Sequence, residues 1–103
     1  MRLTGKTALV TGSTSGIGLG IAKILAAEGA NIIINGFGEA DAIETERKGL
    51  EATSGGKAAY DGADLTKPEQ IEAMFQRADK DFGGVDILVN NAGMQFVSPV
   101  EDF

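Results

Sequence analysis

Thr7-Ala8-Leu9-Val10-Thr11-Gly12-Ser13-Thr14-Ser15-Gly16-Ile17-Gly18 decides how the rest of the chain is read. Its first four residues are a short apolar run of the kind that forms a strand buried on both faces, and the run ends in Thr11-Gly12. Past the glycine turn, Ile17, Ile21, Ile24 and Leu25 recur at i, i+4, i+7 and i+8. That spacing predicts a helix over 17–28 with this stripe on its buried face, stopped at Glu28-Gly29. A glycine-rich turn between a buried strand and a helix gathers backbone N–H groups and the positive end of the helix dipole at one spot, which suits a pyrophosphate. The same turn also serves a strand that only has to pack tightly on a helix. The spacing is neither G-x-G-x-x-G nor G-x-x-x-x-G-K-[ST], and the second pattern occurs nowhere in the chain, so an ATPase reading loses its main support.

Working outward, the same alternation continues. Asn31-Ile32-Ile33-Ile34 reads as the second strand, and Glu39 to about Thr53 as a helix whose apolar face is mainly Ala40, Ile43 and Leu50. Lys57 to about Ala63 reads as a third strand leading into Asp64-Leu65. Thr66 with Glu69 predicts a capping box for a third helix, with Pro68 in its first turn, where a missing N–H is harmless. Ile71, Met74, Phe75, Ala78 and Phe82 form its buried stripe, so Met74 and Phe75 are read as core and not as ligands; Gly83-Gly84 ends it. Val85 to Val89 is the fourth strand, running into Asn90-Asn91-Ala92-Gly93. The string βαβαβαβ predicts an α/β fold with a parallel sheet. Right-handed crossovers order its strands 3-2-1-4, with the first two helices on one face and the third on the other. The fourth strand is then expected to be an exposed apolar sheet edge.

Composition bounds the chemistry. The chain has 103 residues, 43% hydrophobic and 23% charged, which supports one core and one domain. Nine Lys plus Arg against 15 Asp plus Glu give a net charge of −6, which argues against phosphate-backbone recognition of nucleic acid. With no Cys and no His, disulfides, thiolate nucleophiles, imidazole bases and thiolate or imidazole metal sites are excluded. No apolar run approaches the roughly 18 residues of a membrane helix, and Met1 to Lys6 lacks the apolar stretch of a secretory signal. A cytoplasmic protein with no membrane partner is expected.

Three motifs taken together, T-G-x-x-x-G-I-G at 11–18, the pair Asp64-Leu65, and Asn90-Asn91-Ala92-Gly93, resemble in order and separation the cofactor half of the short-chain dehydrogenase/reductase family. The resemblance covers all 103 residues and matches only the N-terminal part of such enzymes. It implies a Rossmann-type parallel sheet, incomplete relative to the family's full doubly wound domain. It also implies an oxidoreductase that moves a hydride to or from a nicotinamide cofactor, and a homo-oligomer when full length. In that reading Gly12 lets the turn reverse, Gly16 and Gly18 let the pyrophosphate approach the backbone beside Ile17, and Ser13, Thr14 and Ser15 add hydroxyl donors. Asp64 accepts from the adenine amino group while the Leu65 N–H meets a ring nitrogen, although an Asp here also reads as a cap or turn residue. Asn90, Asn91 and Gly93 line the ribose, or the asparagines tie the fourth strand to its neighbour.

One departure bears on the cofactor. The acidic residue that NAD-using members commonly carry after the second strand is missing, and Asn35-Gly36-Phe37-Gly38 stands there. NADP would need a cation, yet Ser15 precedes Gly16 where such members often place Arg or Lys, and Phe37 is uncharged. NAD is therefore favoured, with Phe37 flanking the adenine. Several segments resemble members that act on a small hydroxy acid. Gln95, two residues past the N-N-A-G motif, is the candidate for the acid's carboxylate, an exposed loop Gln being the alternative. The family's chemistry needs a Tyr and Lys spaced Y-x-x-x-K and a Ser before them. Tyr60 is the single tyrosine here and is followed four residues later by Asp64. No catalytic residue is assigned, and the chain alone is expected to be inactive. A truncated piece of a longer enzyme is the expectation. Another short-chain reductase, acting on a sugar, steroid or acyl thioester, and a non-catalytic nucleotide-binding module are the alternatives.

Overall fold

The computed structural model describes residues 2–91 and the backbone of residues 96–99. In chain order the elements are β1 (Thr7–Val10), α1 (Gly16–Ala27), β2 (Asn31–Asn35), α2 (Ala40–Ser54), β3 (Ala58–Asp61), α3 (Pro68–Phe82), β4 (Ile87–Asn90) and β5 (Phe96–Pro99). The first four strands lie in the order β3-β2-β1-β4, all neighbours parallel, as the crossover rule requires. The expectation that β4 is the sheet edge is corrected. β5 pairs with it antiparallel, Leu88 opposite Ser98 and Val89 opposite Val97, so the outer rim of the sheet is β5.

Strand alternation sorts the core into two layers. Ala8, Val10, Ile32, Ile34 and Val89 point to the face shared by α1 and α2, where they meet Ala22, Ala26, Ile43 and Leu50. Leu9 and Ile33 point the other way, onto Met74 and Ala78 of α3. Every residue of β1 is buried, which is why its sequence is a continuous apolar run and not an alternating one.

Helix α1 seats itself differently from the stripe read in the sequence. The residues it buries are Gly18, Ala22 and Ala26, spaced i, i+4 and i+8. Ile21 and Leu25 are only partly buried, while Ile17 and Ile24 are 63% and 67% exposed. Small side chains let the helix approach the sheet closely, and that contact outweighs the transfer gain of turning the larger isoleucines inward.

The start of α3 also differs. Pro68 occupies its first turn as expected, but Lys67 is the N-cap and makes no side-chain cap bond. There is no capping box, because the Thr66 hydroxyl donates back to Asp64 Oδ1 at 2.7 Å. Gly83, in the left-handed conformation, closes the helix. β3 and β4 are shorter or shifted relative to the runs read in the sequence, ending at Asp61 and starting at Ile87.

Candidate functional site

The C-terminal ends of β1, β2, β3 and β4 open onto a cleft of about 770 Å³. Gly12, Thr14 and Ser15 form one side of it, Gly36 and Phe37 another, Asp64 and Leu65 a third, and Asn90 the fourth. Ile71, Met74 and Phe75 of α3 and Leu88 of β4 add an apolar wall, so the stripe read purely as core also faces the cleft. Of the described residues that line it, Asp64 is the one ionisable group, and none is Lys or Arg.

The glycine turn reverses at Gly12, with φ of +60°, and again at Gly16, with φ of +62°. A Cβ added at Gly16 would meet nothing within 4 Å, so the backbone there faces open space at the start of α1. The Ser15 N-cap makes no side-chain cap bond, and this leaves the first-turn N–H groups of α1 turned toward that space. Such donors suit an anion. Gly18 does different work from that expected of it. It is buried, and a Cβ there would collide with the Gly12 carbonyl and come to 2.7 Å from Asn91 Nδ2. It therefore lets the turn and β4 close on each other, and does not lie open to the cleft.

Two of the three hydroxyls in the turn are also turned inward. Ser13 is fully buried, with its hydroxyl donating to Val10 O at 2.6 Å and accepting the Asn35 N–H at 3.0 Å. Thr14 donates to the Phe37 carbonyl at 2.7 Å. Ser15 is the exposed one. The expected set of three phosphate donors is thus reduced, because the turn spends Ser13 and Thr14 on holding the loop after β2.

That loop carries Phe37, whose ring is 75% exposed at the rim of the cleft. The Tyr60 hydroxyl donates to the Gly36 carbonyl and fixes the loop from the β3 side. Asn35, at the end of β2, sends both side-chain N–H groups to backbone carbonyls, Asp61 O at 2.9 Å and Ala63 O at 3.0 Å.

Asp64 sits where β3 has ended and α3 has not begun. Its N–H donates to Gln70 Oε1 at 2.8 Å, and its Oδ1 accepts both the Thr66 N–H and the Thr66 hydroxyl. Those bonds, chiefly the hydroxyl, hold its carboxyl below the usual carboxylate range; burial opposes them, and the positive charge of Lys67 adds a lesser push downward. Asp64 is therefore ionised at neutral pH. It is a turn residue and a cleft residue at once.

At the end of β4 the asparagines knit strands together. The Asn91 N–H donates to Thr11 Oγ1 at 2.9 Å, and its side-chain N–H donates to Gly12 O at 3.1 Å. Asn91 Oδ1 is buried with no partner among the described residues. Asn90 lines the cleft, and its Oδ1 stands 3.3 Å from the Thr11 hydroxyl. Gly93 and Gln95 lie outside the described residues. Thr11, Asn35, Tyr60, Thr66 and Gln70 organise the site without having been singled out for it in the sequence. Their partners are backbone groups or residues of other segments, and only the Asp64-x-Thr66 spacing of a turn carried a local signal.

Comparison with known proteins places the chain among dehydrogenases and reductases by sequence and by fold. Over 101 residues the chain is 63% identical to the D-beta-hydroxybutyrate dehydrogenase of Cupriavidus necator, covering 98% of this chain and 38% of that protein. It is 54% identical to the D-beta-hydroxybutyrate dehydrogenase of Rhizobium meliloti, covering 95% of this chain and again 38% of the relative. The chain thus spans well under half the length of these relatives and matches their N-terminal part. Among solved structures it resembles L-sorbose reductase from Gluconobacter frateurii in complex with NADPH and L-sorbose. The TM-score is 0.80 at 38% identity, over 91% of this chain and 36% of the other. A metagenomic short-chain oxidoreductase in complex with NADP superposes equally well, at TM-score 0.80 and 32% identity over 91% of this chain and 42% of the other. The model of the short chain dehydrogenase family matches residues 6–103, which takes in the glycine turn, the Asp64 loop and both asparagines. On sequence and fold, the chain belongs to the short-chain dehydrogenase family.

Proposed function

We propose that the chain is the NAD-binding N-terminal portion of an oxidoreductase that interconverts (R)-3-hydroxybutyrate and acetoacetate by hydride transfer. The observation that carries the nucleotide half is the cleft itself, with open space over the N–H groups at the start of α1 and an ionised Asp64 on the far side. The substrate half is supported by 63% and 54% identity to two D-beta-hydroxybutyrate dehydrogenases.

In this reading the pyrophosphate lies against Gly12, Thr14, Ser15, Gly16 and Ile17, with Ser13 and Gly18 shaping the turn from behind. The adenine meets Asp64 and the Leu65 N–H, with Phe37 at its flank. Asn90, Asn91 and Gly93 would line the ribose, and Gln95 would take the carboxylate of the hydroxy acid. The nicotinamide, when bound, accepts or donates the hydride. The chain's own residues bind and orient it, and among the described residues lining the cleft Asp64, held as a carboxylate, is the one ionisable side chain. Residues 1–103 form the dinucleotide-binding part, working in the cytoplasm, with neither nucleic acid nor membrane as partner and with homo-oligomer formation by the full-length enzyme.

NAD is preferred over NADP because no Lys or Arg among the described residues lines the cleft to pair a further phosphate, and Phe37 occupies the rim. The NADPH and NADP in the two similar solved structures weigh on the other side. Calorimetric titration of the chain with both nucleotides tests the preference. NAD is expected to bind more tightly, and tighter binding of NADP overturns it. The chain by itself is expected to reduce no NAD in the presence of 3-hydroxybutyrate, since a hydride acceptor without a proton-transfer group leaves the barrier nearly intact. Turnover above a protein-free control would contradict this account of the site.

A further inference from the structure

Asn35 is the last residue of β2, 1% exposed and paired in register with Asp61. Its backbone is tied in both directions to the glycine turn: Ser13 N–H donates to Asn35 O at 2.6 Å, and Asn35 N–H donates to Ser13 Oγ at 3.0 Å. Its side chain is tied to the other wall, donating to Asp61 O and to Ala63 O, the carbonyl immediately before Asp64. Directly after it come Gly36 and Phe37, which Tyr60 and Thr14 hold by their carbonyls. One buried residue thus joins the glycine turn, which the nucleotide reading assigns to phosphate, to the Phe37 and Asp64 loops, which it assigns to adenine.

We propose that Asn35 is a positioning residue for the adenosine half of the cofactor, setting the distance between the glycine turn and the Asp64 loop so that phosphate and adenine are engaged together. This rests on the nucleotide reading above. An amide suits the place chemically, because it presents two N–H donors in one plane to two backbone carbonyls and brings no charge into a buried position. A carboxylate at 35 would set acceptor against acceptors. A leucine would leave both carbonyls without a donor. Asn35 ends the strand after which NAD-using members of the family commonly carry an acidic residue. Here the residue at the strand end acts through backbone and neighbours instead.

A purely sheet-stabilising Asn35 would lower the melting temperature when removed and leave the affinity of folded molecules unchanged. A positioning residue moves affinity and couples to Asp64. The experiment is a double-mutant cycle on ADP-ribose binding by the full chain, measured by calorimetry below the melting transition, with folding checked by circular dichroism. Asn35→Ala and Asp64→Ala are each expected to weaken binding about tenfold, a loss of roughly 1.4 kcal/mol. The double variant is expected to lie within about threefold of Asn35→Ala, because an Asp64 already out of place has little left to lose. Inorganic pyrophosphate, which needs only the glycine turn, is expected to bind Asn35→Ala nearly as well as wild type.

Unchanged ADP-ribose affinity in a folded Asn35→Ala, or single effects that add in full, overturns the inference. Should Asn35→Ala fail to fold, Ser13→Ala removes the hydroxyl that accepts the Asn35 N–H, loosening Asn35 from the turn side, and leaves the amide in place. It is expected to weaken ADP-ribose while sparing adenosine, and equal losses for both ligands overturn the inference. A wild-type chain that binds no ADP-ribose brings down the nucleotide reading together with it. That result is distinct from wild-type binding that the Asn35 substitution leaves intact.

Discussion

Gly16 and Gly18 stand two residues apart in one motif and answer to different physics. At Gly18 the obstacle is space, since a Cβ would press on the Gly12 carbonyl and on Asn91 Nδ2. Gly18→Ala is therefore expected to destabilise the fold by about 1–3 kcal/mol, the range for overpacking a well-filled contact, read as a lower urea midpoint at unchanged slope. At Gly16 the space is open and the left-handed backbone is the obstacle. Gly16→Val is expected to cost about 1–2 kcal/mol of strain and to abolish NAD binding, because its side chain fills the room left for phosphate. A titration that still yields heat of binding would contradict the cradle. Asp64 gives a pH signature. Its folded pKa is lowered by Thr66, so its contribution to stability is present above the ordinary carboxylate range and is lost as pH falls through the depressed folded value. The melting-temperature gap between wild type and Asp64→Asn is expected to be flat near neutrality and to close only in acid. The reversals at Gly12 and Gly16 and the turn at Asp64 were legible because they are set by local backbone shape, whereas the packing task of Gly18 was not. Asn35 and Tyr60 were not, because their hydrogen-bond partners lie on neighbouring strands and loops that no local period reports.

At the scale of elements, the α1 stripe shows what periodicity does and does not fix. The 3.6-residue repeat of Ile17, Ile21, Ile24 and Leu25 located the helix to within a residue at each end, yet the sheet takes the neighbouring stripe of Gly18, Ala22 and Ala26. A helix laid across β-strands gains from close approach, and small residues permit it, so hydrophobicity alone picks a face only when the stripes compete at equal size. Ile24→Lys, at a position 67% exposed, is accordingly expected to change stability by less than about 0.5 kcal/mol. Ala22→Leu, at a fully buried position of smaller volume, is expected to cost about 1–3 kcal/mol. Equilibrium urea denaturation of the two variants distinguishes the seats, and a large loss for Ile24→Lys with none for Ala22→Leu would restore the isoleucine face to the core. α3 was read correctly on its core side, where large residues have no competing small stripe: Met74 and Ala78 are buried and Ile71, Phe75 and Phe82 pack against them. Its cap was misread because Pro68 as the first helical residue makes Lys67 the N-cap and leaves Thr66 free to close the Asp64 turn.

For the whole molecule, strand order and the split of helices between the faces followed from crossover handedness and held, whereas the rim of the sheet did not, since β5 covers β4. With only four residues, β5 carries little pattern of its own. The covered edge removes one route to self-association and leaves another. On the α3 face, Leu65, Ile71, Phe75, Val85 and Leu88 remain only partly buried, and on the α1 face Ile17 and Ile24 stand out to solvent. The relatives of known activity carry far more chain, this one covering 38% of their length. Apolar surface of this kind on a chain of 103 residues leaves little margin of stability and favours association between copies. The chain on its own is expected to be marginally stable and to self-associate, and NAD is expected to stabilise it by mass action. Ligand at about 100 times its Kd adds roughly 2.7 kcal/mol, which for a domain of this size raises the melting temperature by about 10–20 °C. Light scattering and thermal melts with and without NAD decide the matter. A monodisperse monomer whose cooperative melt lies above about 60 °C, the upper part of the usual mesophile range, and does not move with NAD would show that these surfaces need no cover and that the cleft does not hold the nucleotide.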